Sequence, residues 1–119
     1  MGIKWQVIVP DKFYNLYVEF LSKAMKEFDR IYILNIAPTT HQIEQHSPGF
    51  DSQINKYNLL IDSAVKQLNT DNIFLIDINK AIREQSDSIE NYIQKDGHHI
   101  TSKSHKMYAD MIWEIEKSI

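Results

Sequence analysis

Two short apolar runs most constrain the fold of this chain. Residues 31–36 and 73–76 are almost continuously apolar, which is typical of strands buried on both faces of a parallel sheet. Apolar residues recur at helical spacing over 13–28, 54–68 and 108–115. Helical segments that alternate with strands, without hairpin turns, indicate βαβ units. We therefore expect an α/β fold, a three-layer αβα sandwich with about two or three parallel strands.

The connections between these elements are expected to be polar. Residues 39–51 contain Pro48 and Gly49 and predict a long loop, after which Asp51 or Ser52 can cap the next helix. A short, weaker helix is expected within 78–94. Thr101 or Ser102 can cap the last helix.

Length and composition limit the classes of protein that are possible. The chain has 119 residues without an internal repeat, so we expect one domain over 1–119. The absence of cysteine excludes disulfides, thiol nucleophiles and Cys-ligated zinc. A net charge of −3 argues against nucleic-acid binding, and no apolar run reaches the length of a membrane span. The first ten residues lack the pattern of a signal peptide, which favours a cytoplasmic location.

One turn near the end of the chain concentrates polar chemistry. Asp96, Gly97, His98 and His99 directly precede the last helical pattern. A carboxylate and an imidazole three residues apart across a tight turn can hydrogen-bond, and such a pair is two-thirds of a Ser-His-Asp hydrolase site. His99 is then the candidate general base, and Asp96 the acid that orients it. The alternative interpretation is an ordinary Asp-Gly turn before a helix, with incidental histidines.

The same residues raise the question of a metal. Asp96, His98, His99 and His105 supply enough nitrogen and oxygen ligands for zinc. Adjacent histidines rarely point at one ion, so we expect no metal and no other cofactor. His41 and His46 lie in the 39–51 segment. The simplest interpretation is a solvated loop, and the alternative is that they border a substrate cleft at the carboxyl end of a strand.

The segment 96–109 closely resembles the last sequence block of the SGNH (GDSL-type) ester hydrolases, in which an Asp-Gly-x-His turn precedes a terminal helix. Residues 31–38, the pair Tyr57 and Asn58, and Asp77 after the second apolar run also resemble that family. The resemblance covers roughly residues 11–117. It implies a flavodoxin-like αβα fold and hydrolysis of esters, often acetyl or acyl groups on sugars or lipids.

The chain also departs from that family in one decisive way. No Gly-Asp-Ser block, which carries the family's nucleophile, is present. If Gly2 begins the family's third block, Gly-x-Asn-Asp, then Lys4 stands in place of the oxyanion-hole asparagine. The candidate oxyanion and cleft residues are therefore Gly2, Lys4 and His41. Ser52 follows Gly49-Phe50-Asp51, a weak echo of the nucleophile block, and is better explained as a helix cap.

These observations predict the C-terminal portion of an SGNH-type esterase, which carries the His-Asp pair but lacks the nucleophilic serine and is inactive alone. The alternative is a non-catalytic interaction or dimerisation module derived from that fold. A narrow sheet with apolar strands leaves an open edge, so we expect self-association or a second chain there. The ester substrate itself is not identified by the sequence.

Overall fold

The computed structural model describes residues 9–119, so the predictions for Gly2 and Lys4 lie outside the described residues. The chain is mixed α/β, as predicted. Its elements in chain order are α1 (Pro10–Glu27), β1 (Ile31–Leu34), α2 (His41–His46), α3 (Phe50–Leu68), β2 (Ile73–Ile76), α4 (Ile78–Arg83), a 3-10 turn (Ile89–Asn91) and α5 (Ser102–Ser118).

The two strands pair in parallel, with Ile31 opposite Ile73 and Leu34 opposite Ile76. Successive side chains of a strand point to opposite faces. On one face, Ile33 and Ile73 join a buried cluster with residues of α1 and α3, and this core comprises Leu21, Ile33, Ile61, Ala64 and Ile73. Each large aliphatic side chain removed from water there contributes about 1.5–3 kcal/mol to the stability of the fold.

The opposite face of the sheet meets α5. Tyr32 stacks on Phe74 with ring centroids 5.4 Å apart, and its hydroxyl hydrogen-bonds the carboxylate of Glu116. A second buried cluster lies beyond the ends of the strands. It consists of Ile78, Ile82, Tyr92 and Ile93, with Met107 and Tyr108 of α5 packed against it. Helices therefore cover both faces of the sheet, and the second cluster supports the turn that contains Asp96.

The prediction of a continuous loop over 39–51 is wrong, because α2 forms within it. The prediction that Asp51 or Ser52 caps α3 is also wrong, since the N-cap is Gly49, with φ 89°. The Glu44 carboxylate replaces a side-chain cap by accepting the backbone N–H groups of Gly49 at 2.7 Å and Asp51 at 3.1 Å. The hydrogen bonds from Asp51 and Gly49 lower the pKa of Glu44, which is consistent with an ionised cap at a helix N-terminus.

The weaker helix expected within 78–94 is present as α4 and a separate 3-10 turn. Asp77 caps α4 by accepting the backbone N–H of Lys80 at 2.9 Å. Over residues 9–119 the sheet has two strands, the lower of the numbers predicted. In the same part of the chain, no helix combines the length and the apolar character that crossing a membrane requires.

Candidate active site

The turn that carries Asp96 is a closed loop, and the residues beneath it are buried. Ile93 and Ile100 form an antiparallel bridge, and between them the N–H of Gln94 donates to the carbonyl of His99 at 2.7 Å. The N–H of Gly97 donates back to the carbonyl of Gln94 at 2.9 Å. The loop from Gln94 to His99 is therefore fixed by its own backbone.

Gly97 joins this loop to the segment that follows β1. Its φ of 88° lies in the left-handed region, and its carbonyl accepts the N–H of Thr40 at 3.0 Å. A Cβ at this position would lie 2.5 Å from Cγ1 of Ile43 and 2.7 Å from the hydroxyl oxygen of Thr40. Only glycine permits this approach, so the Asp-Gly pair sets both the turn and its docking on α2.

The start of α5 holds the loop from the other side. Thr101 caps α5, as predicted, by accepting the N–H of Ser104 at 3.3 Å. The fully buried Ser104 donates its hydroxyl to the carbonyl of Tyr92 at 2.7 Å, and the N–H of Thr101 donates to the same carbonyl at 2.9 Å. Ser104 is thus committed to a structural hydrogen bond and is not placed to act as a nucleophile.

Within this frame Asp96 holds His99 at two points. Oδ1 of Asp96 accepts the backbone N–H groups of His98 and His99, each at 3.0 Å. Oδ2 hydrogen-bonds Nδ1 of the His99 ring. The hydrogen bonds from the backbone of His99 and His98, followed by that from the His99 ring, hold the pKa of the Asp96 carboxyl well below its usual range.

This arrangement fixes the tautomer of the neutral His99 ring. An ionised carboxylate has no proton to donate, so the proton between Oδ2 and Nδ1 belongs to the ring in its neutral form. The lone pair of a neutral His99 is then on Nε2, which makes no hydrogen bond to any residue in the range 9–119. The side chain is 67% exposed. His99 therefore presents a basic nitrogen to solvent, which is the requirement for a general base.

The other predicted histidines have different surroundings. The His98 ring lies beside that of His99, with centroids 4.2 Å apart, and its Nδ1 is 3.3 Å from the carbonyl oxygen of Asp96. Nδ1 of His105 is 3.0 Å from the hydroxyl of Tyr108 on the same helix, so His105 does not join the other two. His41 begins α2.

A polar cleft of about 480 Å³ lies beside the turn. Its walls are formed by Thr39, Thr40, His41, Glu44, Asp51, Ser52, Asn55 and Arg83. The sequence alternative placed both His41 and His46 beside a cleft. His41 lines this one, as do other residues of the 39–51 segment, but His46 does not. Neither His99 nor Asp96 lines this cleft. The hydrogen bond between Thr40 and Gly97 links the two features, and the His99 ring extends into solvent instead.

Thr39 and Thr40, in the 39–51 segment that lines the cleft, each carry a hydroxyl group. Both oxygen atoms are buried and have no hydrogen-bond partner among residues 9–119. Burial without a partner costs about 1–3 kcal/mol per group.

Sequence reasoning missed a network of amide side chains at the carboxyl ends of the strands. Asn35 donates to Asp77 at 2.7 Å and accepts the N–H of Asn79 at 3.1 Å. Asn58 forms two hydrogen bonds with the backbone of Ile36, at 2.8 and 2.9 Å. The signal was present, since polar residues that directly follow the two strands must meet at one edge of a parallel sheet.

A network of hydrogen bonds around the Asp87 carboxylate was also missed. Asp87 accepts hydrogen bonds from the hydroxyl of Tyr92 at 2.6 Å, from Lys103 at 3.0 Å and from Asn91 at 3.0 Å. The hydrogen bond from Tyr92 has the largest effect, followed by those from Lys103 and Asn91. Together they hold the pKa of Asp87 well below its usual range. The hydrogen bond to Asp87, followed by the contact with Tyr92, raises the pKa of Lys103. Because Tyr92 is buried and belongs to the base of the turn, this network ties α5 to the loop that carries Asp96.

Comparison of the chain with protein-family models, with curated proteins and with solved structures finds no match.

Proposed function

We propose that this chain carries the general-base half of a carboxylic ester hydrolase site of the SGNH type. The observation that supports the proposal is that the Asp96 carboxylate hydrogen-bonds both the backbone N–H and the ring Nδ1 of His99. Nε2 of His99 is then left as an exposed base. In this proposal the nucleophilic serine is supplied from outside residues 9–119. The catalytic residues of this chain are His99 and Asp96.

The proposed reaction assigns each group one step. Nε2 of His99 takes the proton of an attacking serine hydroxyl as the oxygen bonds to the ester carbonyl carbon. The ionised Asp96 stabilises the imidazolium that forms. When the carbon–oxygen bond to the alcohol breaks, the imidazolium returns its proton to the leaving oxygen. Water then repeats the sequence on the acyl-enzyme, with His99 again accepting and returning one proton.

The type of hydrolase is proposed from sequence and fold together. The Asp-Gly-x-His block directly precedes the terminal helix α5, as the family resemblance implies. A parallel sheet with helices on both faces is compatible with a flavodoxin-like αβα domain, of which this chain would form the C-terminal portion. Lys4 and Gly2 remain proposed oxyanion residues on sequence grounds alone, and His41 remains a proposed cleft residue.

Three serines, Ser52, Ser102 and Ser104, are not proposed as the nucleophile. Ser104 is fully buried, and Ser102 is the first residue of α5, close in sequence to His99. Ser52 is exposed and lines the cleft, which His99 does not. We therefore expect essentially no turnover of nitrophenyl esters by the chain alone.

Reconstitution tests the proposal. A strand and turn bearing Gly-Asp-Ser, taken from an SGNH hydrolase, is fused ahead of the full chain, and hydrolysis of nitrophenyl acetate is measured. We expect turnover that falls about 10³-fold or more with His99→Ala and by a similar order with Asp96→Asn. His98→Ala is the matched control and should leave most of the activity.

Two results would count against the proposal. Reconstituted turnover that survives His99→Ala would show that His99 is not the base. Serine-type turnover by the chain alone, lost with His99→Ala, would place a nucleophile within the chain, and Ser52→Ala would be tested first.

The second candidate is a module that associates through its sheet, without catalysis. Several large apolar side chains are more than a third exposed, among them Phe20, Phe28, Leu34, Ile36 and Trp113. Within residues 9–119 each strand has one neighbouring strand, so each offers an edge for pairing. A symmetric dimer through such an edge is the simplest form. Sedimentation should then show a dimer at micromolar concentration, and a cooperatively folding monomer would contradict this candidate.

A further inference from the structure

We propose that Asp96, His98 and His99 form a binding site for a divalent transition-metal ion of the zinc class. One potential ligand atom from each of the three side chains lies within 4.8 Å of the other two. Two imidazoles and a carboxylate are a ligand set that zinc accepts. This inference goes beyond the proposed ester hydrolysis and does not depend on it.

The objection from sequence is that adjacent histidines rarely point at one ion. The conformation of this turn removes that objection. The rings of His98 and His99 lie on the same side of the loop, with centroids 4.2 Å apart and planes inclined by 43°. The positive φ of Gly97 and the two backbone hydrogen bonds to Oδ1 of Asp96 produce this arrangement.

The distances require only a small adjustment on binding. Zinc–nitrogen and zinc–oxygen bonds of about 2.0–2.2 Å place two ligands of a tetrahedral ion roughly 3.3–3.5 Å apart. Because the three ligand atoms are at most 4.8 Å apart, they must approach one another by no more than about 1.5 Å, which rotation about side-chain bonds can supply. The backbone of the loop does not have to move, because its hydrogen bonds are made by main-chain atoms of Gln94, Gly97 and His99.

The site is open enough to admit an ion and complete its shell. The side chains of Asp96, His98 and His99 are 40%, 48% and 67% exposed. Water can therefore occupy the remaining coordination position. The ionised carboxylate contributes a negative charge, which lowers the cost of bringing a divalent cation to the surface.

Metal binding and general-base chemistry at this turn exclude each other. A ring nitrogen that donates its lone pair to a metal cannot accept a proton, and a carboxylate shared with the ion holds the His99 ring less firmly. Zinc would accordingly act as an inhibitor of any reaction that uses His99 as a base.

The test is a calorimetric titration of the tag-free, chelator-treated full chain with Zn²⁺ alone at neutral pH. We expect one ion per chain. His98→Ala and His99→Ala should each weaken binding by about tenfold or more, since loss of a ligand costs at least as much as loss of a group that supports one. His105→Ala and the double variant His41→Ala/His46→Ala serve as matched controls and should bind as the unmodified chain does.

His98→Ala separates this inference from the proposed function. It removes one metal ligand and leaves both hydrogen bonds between Asp96 and His99, and His98→Gln gives a second variant if alanine perturbs the turn. Thermal melting of both variants establishes that they fold. The proposal is overturned if a folded His98 variant binds zinc as tightly as the unmodified chain, if binding is lost only in the control variants, or if no binding occurs below millimolar zinc.

Discussion

The carboxylate of Asp96 binds both the backbone and the ring of His99. Oδ1 accepts the backbone N–H at 3.0 Å, and Oδ2 hydrogen-bonds Nδ1 of the ring. One side chain therefore fixes the position of the residue and the orientation of its imidazole. A base oriented in this way loses little conformational freedom when it accepts a proton, which is what efficient general-base chemistry requires.

Substitution at Gly97 tests how the turn is docked. Gly97→Ala should destabilise the fold by roughly 2–5 kcal/mol, because it adds strain at positive φ to a clash with Ile43 and Thr40. Urea unfolding measures the change in the free energy of unfolding. Gly49→Ala is the matched control, since Gly49 has φ 89° but no neighbouring atom within 4 Å of the position that a Cβ would take. It should cost about 1–2 kcal/mol, and equal losses at the two sites would contradict the docking contact.

Asn58 is expected to hold the chain that leaves β1. Its side chain forms two hydrogen bonds with the backbone of Ile36, so Asn58→Ala should lower the free energy of unfolding by about 1–2 kcal/mol. Asn55→Ala, at an exposed position one turn earlier on α3, makes the same change in helix propensity. Chemical denaturation of both variants gives the comparison. If Asn58→Ala lowers the free energy of unfolding no more than Asn55→Ala does, the two hydrogen bonds make no net contribution to stability.

The Asp87 network predicts a specific dependence of stability on pH. Hydrogen bonds from Tyr92, Lys103 and Asn91 lower the pKa of Asp87 in the folded chain relative to the unfolded chain. The stabilisation is therefore complete above the unfolded pKa, about 3.9, and is lost as the pH falls from there through the folded pKa.

Thermal melting between about pH 6 and pH 2 measures this loss. Asp87→Asn should be less stable than the unmodified chain near neutrality, and the difference should shrink on acidification. Asp110→Asn, which removes an exposed partner of Lys106, is the control. Its stability should depend on pH as that of the unmodified chain does. A constant difference between Asp87→Asn and the unmodified chain over the whole range would be inconsistent with the network.

Local patterns account for the parts of the molecule that the sequence predicted. The apolar runs became β1 and β2, and Thr101 caps α5, because these features depend on neighbouring residues. The contact between Asp96 and His99 was also predictable, since both residues belong to one tight turn.

Contacts between distant residues account for what was missed. The helix α2 and the start of α3 depend on Glu44, whose carboxylate replaces a conventional cap. The hydrogen bond between Thr40 and Gly97 joins segments 57 residues apart, and it places the cleft beside the turn without including His99. The proximity of the His98 and His99 rings depends on the conformation of Gly97, which residue spacing does not specify.

The tautomer of the His99 ring tests the central claim most directly. Nitrogen-15 NMR of the imidazole side chains at about pH 9, where imidazoles are ordinarily neutral, distinguishes a protonated Nδ1 from a protonated Nε2. We expect His99 to carry its proton on Nδ1, with Nε2 unprotonated, and we expect this preference to be lost in Asp96→Asn. A His99 ring protonated mainly on Nε2, or a tautomer unchanged by Asp96→Asn, would contradict the assignment of Asp96 as the acid that orients His99 as a base.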